Sequence, residues 1–375
     1  MTICTLLGGI SAEQFLAEYW QKKPLLIRQA VKEIRQPLDL EQLCRLACRD
    51  DVESRLVEFN HGRWKLEHGP FRPARFKRLG ESDWTILVQN VNHHLPHIAE
   101  LLYQLDFMPL VRLDDLMVSY APPGGTVGPH FDSYDVFLLQ VGGKKRWQIS
   151  SQTNIELVED APLKILKRFE PEQEWILEEG DMLYLPPRFA HHGVALEPGM
   201  TYSIGFRAPT AQEMAVGFLD YLRDKIQLEG MYADPDLVAT ADPAAIEDTF
   251  VGRIETMLQG IRWERRDVEE FIGRYFTEPK QHVFFEAPDD LMDEADFEQA
   301  ITEHGVVLDL KSQILHRQGK FYINGEPLEA DVSCHTELRQ LASQRRLPAG
   351  EFDPALVESL FCCYEYGYLR PDSDD

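Results

Sequence analysis

Residues 128–149 read GPHFDSYDVFLLQVGGKKRWQI, a strand-like apolar run interrupted by His130, Asp132 and a lysine. An ionisable group in such a run loses hydration that a metal, an anion or water must replace. Positions i and i+2 of a strand share a face, so His130 and Asp132 project together as two adjacent ligands. By itself an H-x-D pair is a weak signal, and a solvated strand end after a Gly-Gly turn would look the same.

A second signal lies about sixty residues on, in EEGDMLYLPPRFAHHGVAL. A Gly-Asp turn leads into an apolar strand, Pro186-Pro187 breaks it, and the chain returns through His191 and His192. Read as a strand, HHGVAL places His192 with Val194 and Leu196, and His191 with Gly193 and Ala195. Small neighbours leave room for a bound ligand, which favours His191 as the third metal donor. Two histidines and one carboxylate leave three coordination positions open, the pattern of non-haem Fe(II) oxygenases. A structural zinc normally takes four protein ligands, often cysteines, and none lies near these positions.

In KKRWQI, Lys145, Trp147 and Ile149 share one face, whereas Lys144 and Arg146 can reach water. A lysine directed to an apolar face asks for an anion such as a bound dicarboxylate. The plainer alternative is a lysine snorkelling at a strand end.

The elements that must carry these groups are strand-length runs between 113 and 207, LMVSYAPPGG, DVFLLQVGG, KKRWQIS, DMLYLPP and MTYSIGF, separated by Gly and Pro. They predict a β-sandwich or barrel. Before them, Ser11 caps an amphipathic helix with Phe15 and Tyr19 on one face, KKPLLIRQA reads as a short strand, and helices alternate with strands such as WTILVQNV. The fold class is α+β. Thr210 to Glu213 form a capping box that opens a helix, and DPAAIEDTFVGRIETMLQGI and DVEEFIGRYF continue a helical region. In the tail, GKFYINGEPLE has an Asn324-Gly325 hairpin turn, and TELRQLASQRR and DPALVESLFCC read as helices, together a winged-helix-like module. The expected division is a catalytic domain over 1–208, a helical domain over 209–279 suited to dimerisation, and a winged-helix-like domain over 280–375.

At 375 residues the chain is too long for one ordinary core. Its formal charge of −25, from 63 acidic and 38 basic side chains, argues against non-specific binding to nucleic acid or anionic membranes and fits a basic protein partner. Residues 281–375 hold 7 basic and 20 acidic side chains, so a protein contact is expected of the tail and direct DNA binding is not. The six cysteines, Cys4, Cys44, Cys48, Cys334, Cys362 and Cys363, form no CxxC pair and read as reduced thiols of a cytoplasmic protein. The start has no basic n-region of a signal peptide, and no apolar run is long enough for a membrane span. His93, His94 and His97 sit where a loop enters a helix and are assigned no metal.

H-x-D, a lysine fifteen residues after the first histidine, and G-D-x-x-x-x-P-x-x-x-x-H resemble the JmjC branch of cupin-fold 2-oxoglutarate oxygenases. With YWQKKPLLIR, DDLMVSYAPPGGTVGPHFDSYDVFLLQ and YSIGFRAP, the chain resembles the bacterial ribosomal oxygenases over nearly its whole length. The resemblance implies a double-stranded β-helix, a helical dimerisation region and a winged-helix tail. It implies Fe(II) held by His130, Asp132 and His191, with 2-oxoglutarate and O2 as cosubstrates. It further implies that Lys145 pairs with the distal carboxylate of 2-oxoglutarate, assisted by Ser119 and, as a second hydroxyl, Ser203. Many bacterial relatives have arginine in place of this lysine, which is usual in the wider JmjC group.

The bacterial members of that family hydroxylate an arginine of large-subunit ribosomal protein sixteen. The resemblance therefore implies a basic ribosomal protein substrate and a homodimeric enzyme. An arginine pocket requires acids and an aromatic wall; Tyr134 shares the strand parity of His130 and Asp132, and Asp114 and Asp115 stand near the barrel entrance. The alternatives are a histidyl hydroxylase or N-methyl demethylase acting on another protein, and a non-catalytic dimeric cupin adaptor.

Overall fold

The computed structural model describes residues 5–32 and 38–372. Cys4 lies outside them; the other five cysteines are free thiols. Twelve strands build the N-terminal part: β1 (Leu25–Ile27), β2 (Ser54–Asn60), β3 (Arg63–His68), β4 (Trp84–Val88), β5 (Leu113–Ala121), β6 (His130–Phe131), β7 (Val136–Val141), β8 (Lys145–Ser150), β9 (Gln173–Leu177), β10 (Met182–Leu185), β11 (Ala190–Ala195) and β12 (Gly199–Phe206). An eight-stranded sheet runs β1-β10-β7-β12-β5-β4-β2-β3, and a four-stranded sheet runs β6-β11-β8-β9. The sheet thus extends beyond the span 113–207 expected for the barrel: β1 joins at β10, while β4, β2 and β3 continue the sheet past β5. β4, WTILV, is buried at every position, as a central strand covered on both faces should be.

Outside the large sheet pack α1 (Ala12–Glu18), α2 (Leu40–Leu46), α3 (Pro73–Phe76) and α4 (Pro96–Tyr103). Ser11 caps α1 by accepting the Gln14 amide, and Phe15 stacks on Tyr19. Phe15 also meets Phe137 and Tyr184, and Trp20 meets Phe206, so an aromatic core locks the back of the sheet. The opposite face is left to line a cavity.

The helical stretch contains α5 (Ala211–Arg223), α6 (Asp248–Leu258) and α7 (Arg265–Thr277). The capping box of Thr210 and Glu213 forms as expected. The helix expected from Asp242 begins only at Asp248, because Asp242 Oδ1 accepts the Ala244 amide and bends the segment into a local turn. Beyond it, α8 (Glu294–His304), α9 (His335–Gln344) and α10 (Pro354–Glu365) enclose a separate hydrophobic core. This core also holds β13 (Val306–Leu308) between β17 (Arg346–Leu347) and β18 (Leu369–Pro371). The wing is β14 (Ile314–Arg317), β15 (Lys320–Ile323) and β16 (Glu326–Leu328). Its turn has Asn324 and Gly325 at φ 49° and 93°, the left-handed pair that a two-residue hairpin requires. α7 packs on this wing: Arg274 pairs with Glu326 at 2.7 Å, and the Thr277 hydroxyl accepts the Gly325 amide at 2.9 Å. No helix among the described residues is long and apolar enough to cross a membrane.

Candidate active site

β6 pairs with β11 so that His130 stands directly opposite His191. Asp132 follows at the end of β6, its carbonyl accepting the Arg188 amide at 2.8 Å. One ligand atom from each of the three residues lies within 4.8 Å of the others. His130 donates its Nδ1–H to the Gly128 carbonyl and His191 donates its own to the Phe189 carbonyl, both at 2.9 Å. A carbonyl can only accept, so both Nε2 lone pairs are free and presented at a common point. Burial, with His130 as the next contribution, holds His191 down at about 4, so it stays neutral and available as a donor. Two imidazole nitrogens and one carboxylate on one side of a point fit a divalent metal with an open coordination face. His192, on the other strand face, hydrogen-bonds Thr126 Oγ1 through Nε2 at 3.1 Å.

These groups open into a cavity of about 540 Å³ between the two sheets. Its floor follows the two-residue period of the strands. Leu87, Ser119 and Thr201 lie in register on β4, β5 and β12; Met117, Ser203 and Leu138 form the next rung on β5, β12 and β7. Asp115 and Gly205 lie further along the same face.

Lys145 enters from β8 and is buried, as its strand parity predicts. Its Nζ meets Thr201 Oγ1 at 3.1 Å and lies over the Trp147 ring, 4.9 Å from the centroid. Burial pushes its ammonium down to about 8. Among the described residues no carboxylate forms an ion pair with it, so the cavity wall presents a cation that lacks its anion. Gly193 permits this placement: a Cβ there would come within 2.8 Å of the Trp147 ring and 2.9 Å of Lys145 Cε. The Ser119 hydroxyl meets the Thr201 carbonyl at 3.4 Å and lines the same end of the cavity, with Ser203 one rung further on.

Tyr134, Asp114 and Asp115 line the cavity too. The acid pair belongs to a strand, and Asp115 is buried, accepting the Asn90 amide on Oδ2 at 3.0 Å. Tyr134 is 40% exposed, so its ring stands as a partly open wall. Every residue singled out in the sequence for metal, cosubstrate or substrate therefore faces one cavity. Sequence reasoning missed Thr201, although the alternation in TYSIG puts it on the face of Ser203. It also missed Lys280, which reaches the cavity from the segment that follows α7.

The three histidines His93, His94 and His97 lie apart from this centre, and they join no metal-type cluster among the described residues.

Comparison with known proteins places these features in a family context. Residues 100–214 match the model of the JmjC domain, and residues 260–370 match the model of the ROXA-like winged helix. The chain is 33% identical to the ribosomal protein uL16 3-hydroxylase of Escherichia coli over 351 residues, 92% of each chain. It is 39% identical to a probable ribosomal oxygenase of Haemophilus influenzae over 233 residues, covering 61% of this chain and 55% of that one. A solved structure of the E. coli ribosomal oxygenase YcfD in complex with cobalt and 2-oxoglutarate superposes with a TM-score of 0.81 at 32% identity, covering 96% of this chain and 98% of that one.

Proposed function

The chain belongs to the ribosomal oxygenases, JmjC-domain cupins with a winged-helix tail, and on that premise we propose that it is a 2-oxoglutarate- and Fe(II)-dependent hydroxylase of an arginine side chain in a large-subunit ribosomal protein. The observation that carries the reading is the cavity that joins an open two-histidine, one-carboxylate donor set to a buried, anion-seeking lysine. His130, Asp132 and His191 would hold the metal. Lys145, with Thr201 and Ser119 beside it, would receive the distal carboxylate of 2-oxoglutarate, a charge-assisted contact in a site from which water is largely removed. Ser203 extends the same hydroxyl-bearing face. Fe(II), when bound, lets O2 oxidise 2-oxoglutarate to succinate and carbon dioxide while the second oxygen atom enters a substrate C–H bond.

The protein's own task is placement. Tyr134 offers an aromatic wall to a guanidinium, and the acidic pair Asp114–Asp115 stands at the negative end of its slot. The acidic balance of the whole chain suits a basic ribosomal protein.

The assignment is tested by incubating the purified protein with Fe(II), 2-oxoglutarate and isolated large-subunit proteins, then mapping modified residues by mass spectrometry. The expected result is one added oxygen on an arginine. Oxygen found on histidine, or loss of a methyl group from a lysine, would overturn the arginine assignment. The absence of any succinate would favour a non-catalytic adaptor.

The division at about 208 and 279 belongs to the same proposal, as does dimerisation through the helical stretch. Leu219, Phe250, Leu258 and Trp263 are all exposed there, more apolar surface than a lone soluble chain commonly leaves to water. A second copy of the chain would cover it. Light scattering at micromolar concentration should give twice the chain mass, and a monomeric mass would refute the dimer.

A further inference from the structure

The chain leaves α7 through residues 278–284 and turns against the rim of the catalytic cavity. Lys280 Nζ lies 2.9 Å from Asp114 Oδ1 and 3.3 Å from Asn90 Oδ1. Asn90 is in the left-handed region at φ 50°. Its backbone N–H donates to Asp115 Oδ2 at 3.0 Å, while its side-chain amide meets His282 at 3.1 Å. One asparagine is therefore shared between the acidic end of the cavity and the segment that leads to the winged helix.

This arrangement makes two consecutive carboxylates unlike. Asp114 is one-third exposed and faces two cations, Lys280 and, at 3.5 Å, Arg207 Nε. Asp115 is buried and has no cation within ion-pair distance among the described residues; beside it stand the Asn90 amide, Gly205, the edge of the Tyr134 ring and the Gln89 side-chain amide, which donates to Oδ2 at 3.1 Å while its oxygen accepts from Arg55, with the Glu53 carboxylate in the same cavity. A lysine at the mouth of a pocket meant for a guanidinium would be repulsive if both acids served the substrate. It is not repulsive if its own partner is the acid the substrate does not use.

We propose that Lys280 is a positioning residue that sets specificity: by holding and neutralising Asp114, it leaves Asp115 as the one carboxylate that reads the cationic side chain of the substrate. The inference rests on the arginine reading and adds to it a residue from outside the barrel. Without Lys280 only the more distant Arg207 would face Asp114, the two adjacent carboxylates would disfavour each other's ionisation, and a guanidinium would have two competing docking positions. Only one of these can place its target carbon beside the metal. The Lys280 charge also opposes the burial that pushes the Asp115 carboxyl up, and so helps keep it ionised.

The test uses the full chain with Mn(II) and 2-oxoglutarate, and two synthetic peptides that differ only in arginine against its neutral isostere citrulline. Dissociation constants are measured from mildly acidic to mildly basic pH for the wild type, Lys280→Met and Lys280→Arg, alongside 2-oxoglutarate affinity. The wild type should prefer arginine. Lys280→Met should lose about tenfold of that preference, more at acidic pH where Asp115 protonates first, with 2-oxoglutarate binding unchanged; Lys280→Arg should restore it. Full preference in Lys280→Met at every pH overturns the proposal, as does an equal loss for both peptides or a loss that Lys280→Arg leaves in place. A wild type that binds the two peptides equally refutes the arginine reading itself, and the role of Lys280 falls with it.

Discussion

The Lys145 ammonium lies 3.1 Å from the Thr201 hydroxyl, in the wall of a cavity that three converging metal-type donors also line, the two histidines on the same four-stranded sheet as the lysine. A buried cation whose partners are a neutral hydroxyl and an aromatic face is an incomplete interaction, which an anion entering the cavity would complete.

Lys145→Ala should accordingly leave metal binding intact and weaken 2-oxoglutarate by roughly thirty-fold or more, since truncating one partner of a buried charge pair typically costs ~2–5 kcal/mol. Lys145→Arg should keep substantial affinity if the space beside Gly193 accepts the longer side chain. Separate calorimetric titrations of metal and 2-oxoglutarate check both; normal 2-oxoglutarate affinity in Lys145→Ala would refute the assignment.

The same lysine gives a pH signature. Because burial lowers its ammonium to about 8, the anion-free protein loses the positive charge above that pH, and 2-oxoglutarate binding must then take up a proton. Affinity should fall by about tenfold per pH unit above 8, whereas Lys145→Arg should show a flat profile. Stability moves the opposite way. The folded ammonium is disfavoured relative to the unfolded one, so its penalty is full below about 8 and fades as pH rises toward the ordinary lysine value. Thermal melts without ligand should show this group's contribution as a gain in that window.

His191 and His192 are adjacent but serve opposite strand faces. His191→Ala should abolish tight metal binding, a larger effect than the ~10–100-fold that follows loss of an outer hydrogen-bond partner. His192→Ala loses its contacts with Thr126 and the Phe169 ring and should retain the metal. Cobalt(II) absorption titrations distinguish the two, and metal loss with His192→Ala alone would show that the strand faces are reversed.

Gly193→Ala should be costly although it adds one methyl group. The new Cβ would meet the Trp147 ring and Lys145 Cε well inside contact distance. Overpacking of this kind typically costs ~1–3 kcal/mol. The melting temperature should drop and 2-oxoglutarate affinity should fall with it; an unchanged value of both would show that the β8 side chains move aside freely.

Much of the site was legible because strands have a two-residue period. His130 with Asp132, Lys145 with Trp147, and His191 with Gly193 were each assigned to a face from sequence alone, and the structure puts all of them on the cavity side. The extension of the sheet beyond the barrel strands was not legible, because β1 and β4 are short apolar runs whose pairing partners lie far away in sequence. Lys280 was invisible for the same reason. Its partner Asp114 precedes it by more than 150 residues, and no local pattern marks a lysine that closes on a distant acid. The helix start at Asp248 was missed where a side chain outcompeted the backbone for a local amide.

The pairing of His130 with His191 has a mechanical consequence. β6 is only two residues long, and its ladder to β11 comprises two register pairs. Such a strand is too brief to hold its own edge against fraying. An ion gripped by both histidines would act as a removable rivet between chain segments some sixty residues apart, closing a long loop as a cross-link does. Amide exchange around residues 126–133 therefore becomes a gauge of metal occupancy, slow when the rivet is in and fast when a chelator has drawn it out.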